Sequence, residues 1–338
     1  MTARERFLTV MNFSSDDNLK KPDRLPMIEW APWWTETYKR WQKEGLNAEY
    51  QDLAKFFGLE SLEIISINPK SYGCPSPAYH GAPIIDPDNA EASYEAIRPY
   101  LMTDELIENA VDCAKQLKNS HDEGDLSIRI WLDGYFWFPR SLFGIEKHLY
   151  AFYDHPDLMQ RMNAELTAFN KRGLEAVLTI LKPDMIGFAE DMSYNHGPML
   201  SYETFKEFLF PYYEEILSFI KPTGIKTMMD SDGDVMPLLP WLTELGIDGI
   251  YPLERQSGVD VAEIRKLYPK LLMMGAYDKM VMSKGEEAIR AEFERLLPVI
   301  KKGGFIPSVD HQTPPEVSLD NYKIYLKLLN EYVEKGVK

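Results

Sequence analysis

From about residue 125 onward, short apolar runs alternate with amphipathic segments, and this alternation limits the possible folds more than any other feature of the chain. The runs are residues 127–132 (SIRIWL), 184–189 (DMIGFA), 226–229 (KTMM), 249–253 (GIYPL), 271–275 (LLMMG) and 304–308 (GFIPS). Residues 26–30 (PMIEW) and 62–67 (LEIISI) are earlier candidates. Most are apolar throughout, as strands buried on both faces must be. Helical patterns separate the later ones. Ser201 can cap the segment that follows it, and Pro211 predicts a break inside that segment. Asp260 and Glu263 form a capping-box-like pair ahead of a helix ended by Pro269. Residues 286–300 and 319–333 have helical periodicity. Eight strands alternating with helices over 338 residues predict a single (β/α)8 TIM barrel spanning 1–338. A doubly wound sheet is the alternative, lowered because no G-x-G-x-x-G follows any strand. Residues 68–125 have few strand signals and several Pro and Gly, so they are expected to form an elaborated connection, part loop and part helix.

Charge and composition exclude several partners. The net charge of −16 argues against nucleic acid and against an anionic membrane surface. No apolar run approaches the roughly 18–20 residues of a membrane span. The two cysteines, Cys74 and Cys113, make no disulfide framework, and with the absence of an apolar leader run they suggest a reducing cytoplasm.

Barrel enzymes carry their chemistry at the C-terminal strand ends. Here those ends deliver Glu29, Asp133, Glu190, Asp191, Asp230, Asp232, Asp234, Glu254, Asp278 and Asp310 with His311, while the second strand ends at Asn68. Asp is common in turns and caps, and Asp234 has the best cap position. A mouth this acidic nevertheless implies a metal, a cationic substrate, or carboxylic acids that keep their protons. Asp230 and Asp232 share a face by the strand period of two, and His311 can reach the same cavity. Two oxygens and an imidazole suit zinc or another divalent ion. An EF-hand is excluded, since its Gly and Glu positions hold Val235 and Trp241. Glu190, Asp191 and Asp133 are the candidate proton-transfer groups. Glu29, Trp33, Trp131, Tyr135, His196, Glu254 and Asp278 are the candidate substrate contacts. Trp30, Trp34 and Trp137 add to the aromatic density, which suits an aromatic or cationic ligand.

Several segments carry a family resemblance: RERFLTVMNF, WLDGYFWFPRSLFGIE, AEDMSYNHGPMLSYETFKEFLFPYYEEI, DSDGDVMPLLPWLTELGIDGIYPLE, GAYDK and DHQTPPEVSLDNY. Over nearly its whole length the chain resembles the uroporphyrinogen decarboxylase superfamily, which includes corrinoid-dependent methyltransferases. The resemblance implies a (β/α)8 barrel. In those methyltransferases zinc is held by a His-x-Cys pair and a later Cys; the matching positions here are Asp230, Asp232 and His311. Such a set favours a harder ligand atom than a thiolate. The decarboxylases' arginine-rich N-terminal motif is replaced by PMIEWAPWW. An octa-anionic porphyrinogen would meet repulsion, about 4 kcal/mol per charge pair at about 4 Å and an effective dielectric near 20. Three functions remain open. The first is methyl transfer from a small methoxylated or N-methylated compound to cobalamin on a separate corrinoid protein, assisted by a divalent metal. The second is metal-free decarboxylation of uroporphyrinogen or a smaller acid. The third is a non-catalytic barrel that binds a ligand or a corrinoid protein.

Overall fold

The computed structural model describes residues 1–13, 22–31 and 33–338. Seven parallel strands form one curled sheet. They are β1 (Ser61–Ile67), β2 (Leu126–Asp133), β3 (Met185–Ala189), β6 (Lys226–Asp230), β7 (Gly249–Tyr251), β8 (Leu272–Tyr277) and β9 (Phe305–Val309), paired in that order. A small antiparallel hairpin, β4 (Ser193–Tyr194) and β5 (Gly197–Pro198), rises from the loop after β3. Register is continuous across the middle of the sheet: Leu132 lies beside Phe188, and Ala189 beside Asp230, which lies beside Tyr251.

The first expected strand differs. Residues 26–30 are extended but make no ladder. Pro26 has no N–H to donate. The N–H of Met27 goes to the Glu60 carboxylate at 3.2 Å, and that of Trp30 to Ser308 Oγ at 3.4 Å. The Met27 carbonyl accepts from Glu60 N at 2.7 Å, and the Trp30 indole donates to the Val309 carbonyl at 2.9 Å. The segment thus spans the gap between β1 and β9, held by side chains and by the Glu60–Met27 backbone bond.

Helices cover the outer face. Pro211 does break its segment: helix Tyr202–Phe208 stops, and helix Phe210–Ile220 begins after Leu209. Ser201 caps the first by accepting from Thr204 N, and Asp260 caps helix Val261–Leu267 by accepting from Ala262 N. Residues 68–125 hold helices Ala90–Ile97 and Asp104–Glu123 and a bridge between Lys70 and Leu101.

Candidate active site

The alternation along β2 turns Ile128, Ile130 and Leu132 toward the helices and sends Arg129, Trp131 and Asp133 into the bore. Across it stand Tyr251 from β7 and Trp30, whose rings meet edge to face at 5.3 Å. Arg129 lies over the faces of Trp131 and Tyr251, at 4.8 and 5.6 Å. Gly187 leaves room between them, since a Cβ there would sit 2.4 Å from the Tyr251 hydroxyl.

Above this floor is an acidic rim. Asp232 Oδ2 lies 3.5 Å from His311 Nε2. Burial, with help from Asp191 and Glu254, pushes Asp232 up to about 8. Burial, then Lys279, lowers His311. The raised acid and the lowered imidazole both favour their neutral forms at this contact. Burial, then Asp191 and Asp232, keeps Asp230 well above the usual carboxylate range. Asp191 is raised by burial and sits at φ 45°, a left-handed conformation held by the Arg140 guanidinium donating to its carbonyl at 2.8 Å. Lys279 bridges Glu254 at 3.0 Å and Asp310 at 3.5 Å. Gly233, at φ +82°, allows the β4–β5 hairpin to pack on the loop after β6; a Cβ there would lie 2.6 Å from the Tyr194 backbone.

The remaining candidates divide. Asp133 is buried in the bore and is pushed up to about 6 by burial, with Lys70 opposing. Asp191, Asp232, Glu254 and His311 line the rim, and Asp230 is buried in the bore. Glu190 leaves the site altogether. It points behind the sheet and accepts from the backbone N–H groups of Tyr135, Phe136 and Trp137 at 2.8–2.9 Å and from the Tyr213 hydroxyl. It is the buried anchor of the turn that starts helix Trp137–Phe143. Glu29 faces β9, where its carboxylate accepts from Ser308 Oγ at 2.8 Å and Val309 N at 3.2 Å; burial raises it to about 7. Trp33 packs on Phe57 and Tyr322 as core. Tyr135 accepts from Thr167 Oγ1 and packs on Tyr213. Asp278 caps Met280 N and accepts from Gln256. His196 is exposed at the hairpin turn against Tyr194. None of these six contacts the bore, because the period of two and the turn geometry turn their side chains elsewhere. Trp131 does face it. The sequence places Arg129 near the mouth, with Arg140 and Arg255, where arginines would hold a carboxylate in the decarboxylase reading, but neither Arg129 nor Tyr251 is among the candidate contacts; an arginine inside SIRIWL is out of place in an apolar strand unless the bore needs it.

The metal reading fits poorly. Asp232 and His311 meet, but Asp230 is buried in the bore within the field of Arg129. Among the described residues, no three His, Cys, Asp or Glu side chains are grouped so as to hold an ion.

Fold and rim together define a (β/α)8-type barrel whose acids gather at the C-terminal ends of its strands. The chain belongs to the uroporphyrinogen decarboxylase family: the model of that family, uroporphyrinogen decarboxylase (URO-D), matches residues 136–332. A uroporphyrinogen decarboxylase from Alcanivorax borkumensis is 25% identical over 148 residues, 41% of this chain and 40% of that relative's length. A solved methyltransferase from Methanosarcina mazei superposes with a TM-score of 0.65 at 15% identity, over 98% of this chain and 99% of that one. This second likeness is one of fold.

Proposed function

We propose that this chain is a methyltransferase that demethylates a small methoxylated or N-methylated compound and passes the methyl group to a corrinoid carried by a separate protein. The observation that carries the reading is Asp232: a carboxylic acid held protonated near neutral pH at the open end of the barrel, with neutral His311 beside it. When the methyl–heteroatom bond breaks, its electron pair stays on the heteroatom. The Asp232 proton neutralises that atom; a reduced corrinoid, held by its own protein, would supply the electron pair for the methyl group. General-acid catalysis of this kind is worth about 10²–10⁴-fold. The floor of Trp30, Trp131 and Tyr251 holds the donor's apolar part and keeps water from the breaking bond. Asp232, whose side chain is 35% exposed, can take its proton back from solvent after each turnover. One further fact supports methyl transfer over decarboxylation: a fold neighbour that covers 98% of this chain is a methyltransferase.

The test is product analysis with a panel of methoxylated and N-methylated compounds, a reduced corrinoid protein and the purified chain. Demethylated product is expected only when all components are present. Asp232→Asn is expected to slow it at least about 100-fold. Conversion of uroporphyrinogen by the chain alone, without demethylation of any donor, would replace this reading with decarboxylation.

A further inference from the structure

Arg129 is only 2% exposed, and its Nε and Nη1 nitrogens meet no acceptor. Its Nη2 donates to the Trp30 carbonyl at 3.3 Å. The Tyr251 hydroxyl is also buried; it lies against Arg129 and makes no well-formed hydrogen bond of its own. A buried guanidinium stays charged, and leaving its donors unmatched is costly. Arg265 shows what a structural buried arginine looks like in this same chain. Its guanidinium donates to the carbonyls of Pro269, Leu271, Gly303 and Gly304 at 2.8–3.1 Å. Arg129 has no such set and faces the bore instead. Gly187 is what lets the two groups sit together there, since a Cβ would lie 2.4 Å from the Tyr251 hydroxyl and 3.4 Å from Arg129 Cδ.

We propose that the Arg129 guanidinium and the Tyr251 hydroxyl form an anion-binding subsite at the foot of the acidic mouth, and that it takes a carboxylate of the substrate. An oxyanion supplies what the two groups lack, an acceptor for charge-assisted N–H donors and for a phenol. Asp230 does not fill that role, since neither orphaned nitrogen reaches it. The other cations nearby face acids: Lys279 faces Glu254 and Asp310, Arg140 faces Asp191, and Lys70 acts on Asp133. One unmatched cation accommodates one anionic group, so the substrate is a small compound with a single carboxylate. This names the donor class of the methyl-transfer reading and rests on that reading for the bond that breaks, but not for binding.

Titration calorimetry tests it with formate, acetate and benzoate against formamide, acetamide and benzamide. At least one carboxylate is expected to bind ten-fold or more tightly than its own amide. Arg129→Gln should abolish the preference. Tyr251→Phe, which keeps the ring and its packing, should weaken the carboxylate several-fold, and Gly187→Ala should weaken it further. The inference is overturned if no pair shows the preference in the native chain. It is equally overturned if Tyr251→Phe and Gly187→Ala both bind as the native chain does. The two readings fail separately. Carboxylate binding without demethylation of any donor removes only the methyl transfer; demethylation of neutral donors without carboxylate binding removes only the subsite.

Discussion

Asp230 and Asp232 stand two residues apart and serve different ends. Asp230 closes the bore beside Arg129, whereas Asp232 faces His311 and carries the proton. Because the active form of Asp232 is the protonated one, kcat/KM should be flat at neutral pH and fall as pH rises through about 8. A profile that instead rises through that range would exclude Asp232 as the acid. Since the donor is a proton, protein treated with a chelator and dialysed should turn over as fast as untreated protein; a loss restored by added zinc would return the metal to the mechanism. Glu190 shows how a residue can be chosen correctly for its chemistry and wrongly for its place. Its position after β3 and its carboxyl were legible in the sequence, but not which face of the strand end it occupies. Glu190→Ala leaves three buried N–H groups unmatched and is expected to cost about 3–5 kcal/mol in urea unfolding. Gly134 belongs to the same device, since a Cβ there would sit 2.2 Å from the Glu190 carboxyl carbon. Gly134→Ala should therefore also destabilise.

Among the elements, the alternation of apolar runs placed seven strands within a residue or two of where they lie, and Pro211 and Ser201 marked real helix ends. The segment 26–30 was the exception. Its apolar content suits a strand, but a ladder needs backbone donors, and those were claimed by Glu60 and Ser308. Glu60 is the centre of that closure, also accepting from Arg6 and Arg24. Glu60→Ala should cost about 2–4 kcal/mol, by leaving Met27 N–H and two arginines without their partner. The check is the urea midpoint; a change below about 0.5 kcal/mol would mean that the closing segment is held by packing alone.

For the molecule as a whole, net charge and buried acids act in the same direction. Burial raises Glu29 to about 7 and Asp133 to about 6, above the 4.5 and 3.8 of free carboxyls. Stability from such groups is fully present below their unfolded values and is lost as pH rises through the folded ones. A net charge of −16 adds self-repulsion as more acids ionise. The melting temperature should therefore be lower at pH 8 than at pH 6, and added salt should recover part of the difference at pH 8. A melting temperature that rises across that interval would show that these acids are ionised in the folded state. No helix among the described residues is long and apolar enough to cross a membrane. The sequence by itself determined the barrel class, the order of strands and helices, and the concentration of acids at strand ends, because hydrophobic period and turn chemistry are local properties of the chain. Only the tertiary structure decided which acids face the bore, which are spent on backbone N–H groups, and that Arg129 and Tyr251 meet across Gly187. Those outcomes depend on contacts between residues dozens of positions apart, where the curvature of the sheet, rather than any neighbour in sequence, sets what each side chain can reach.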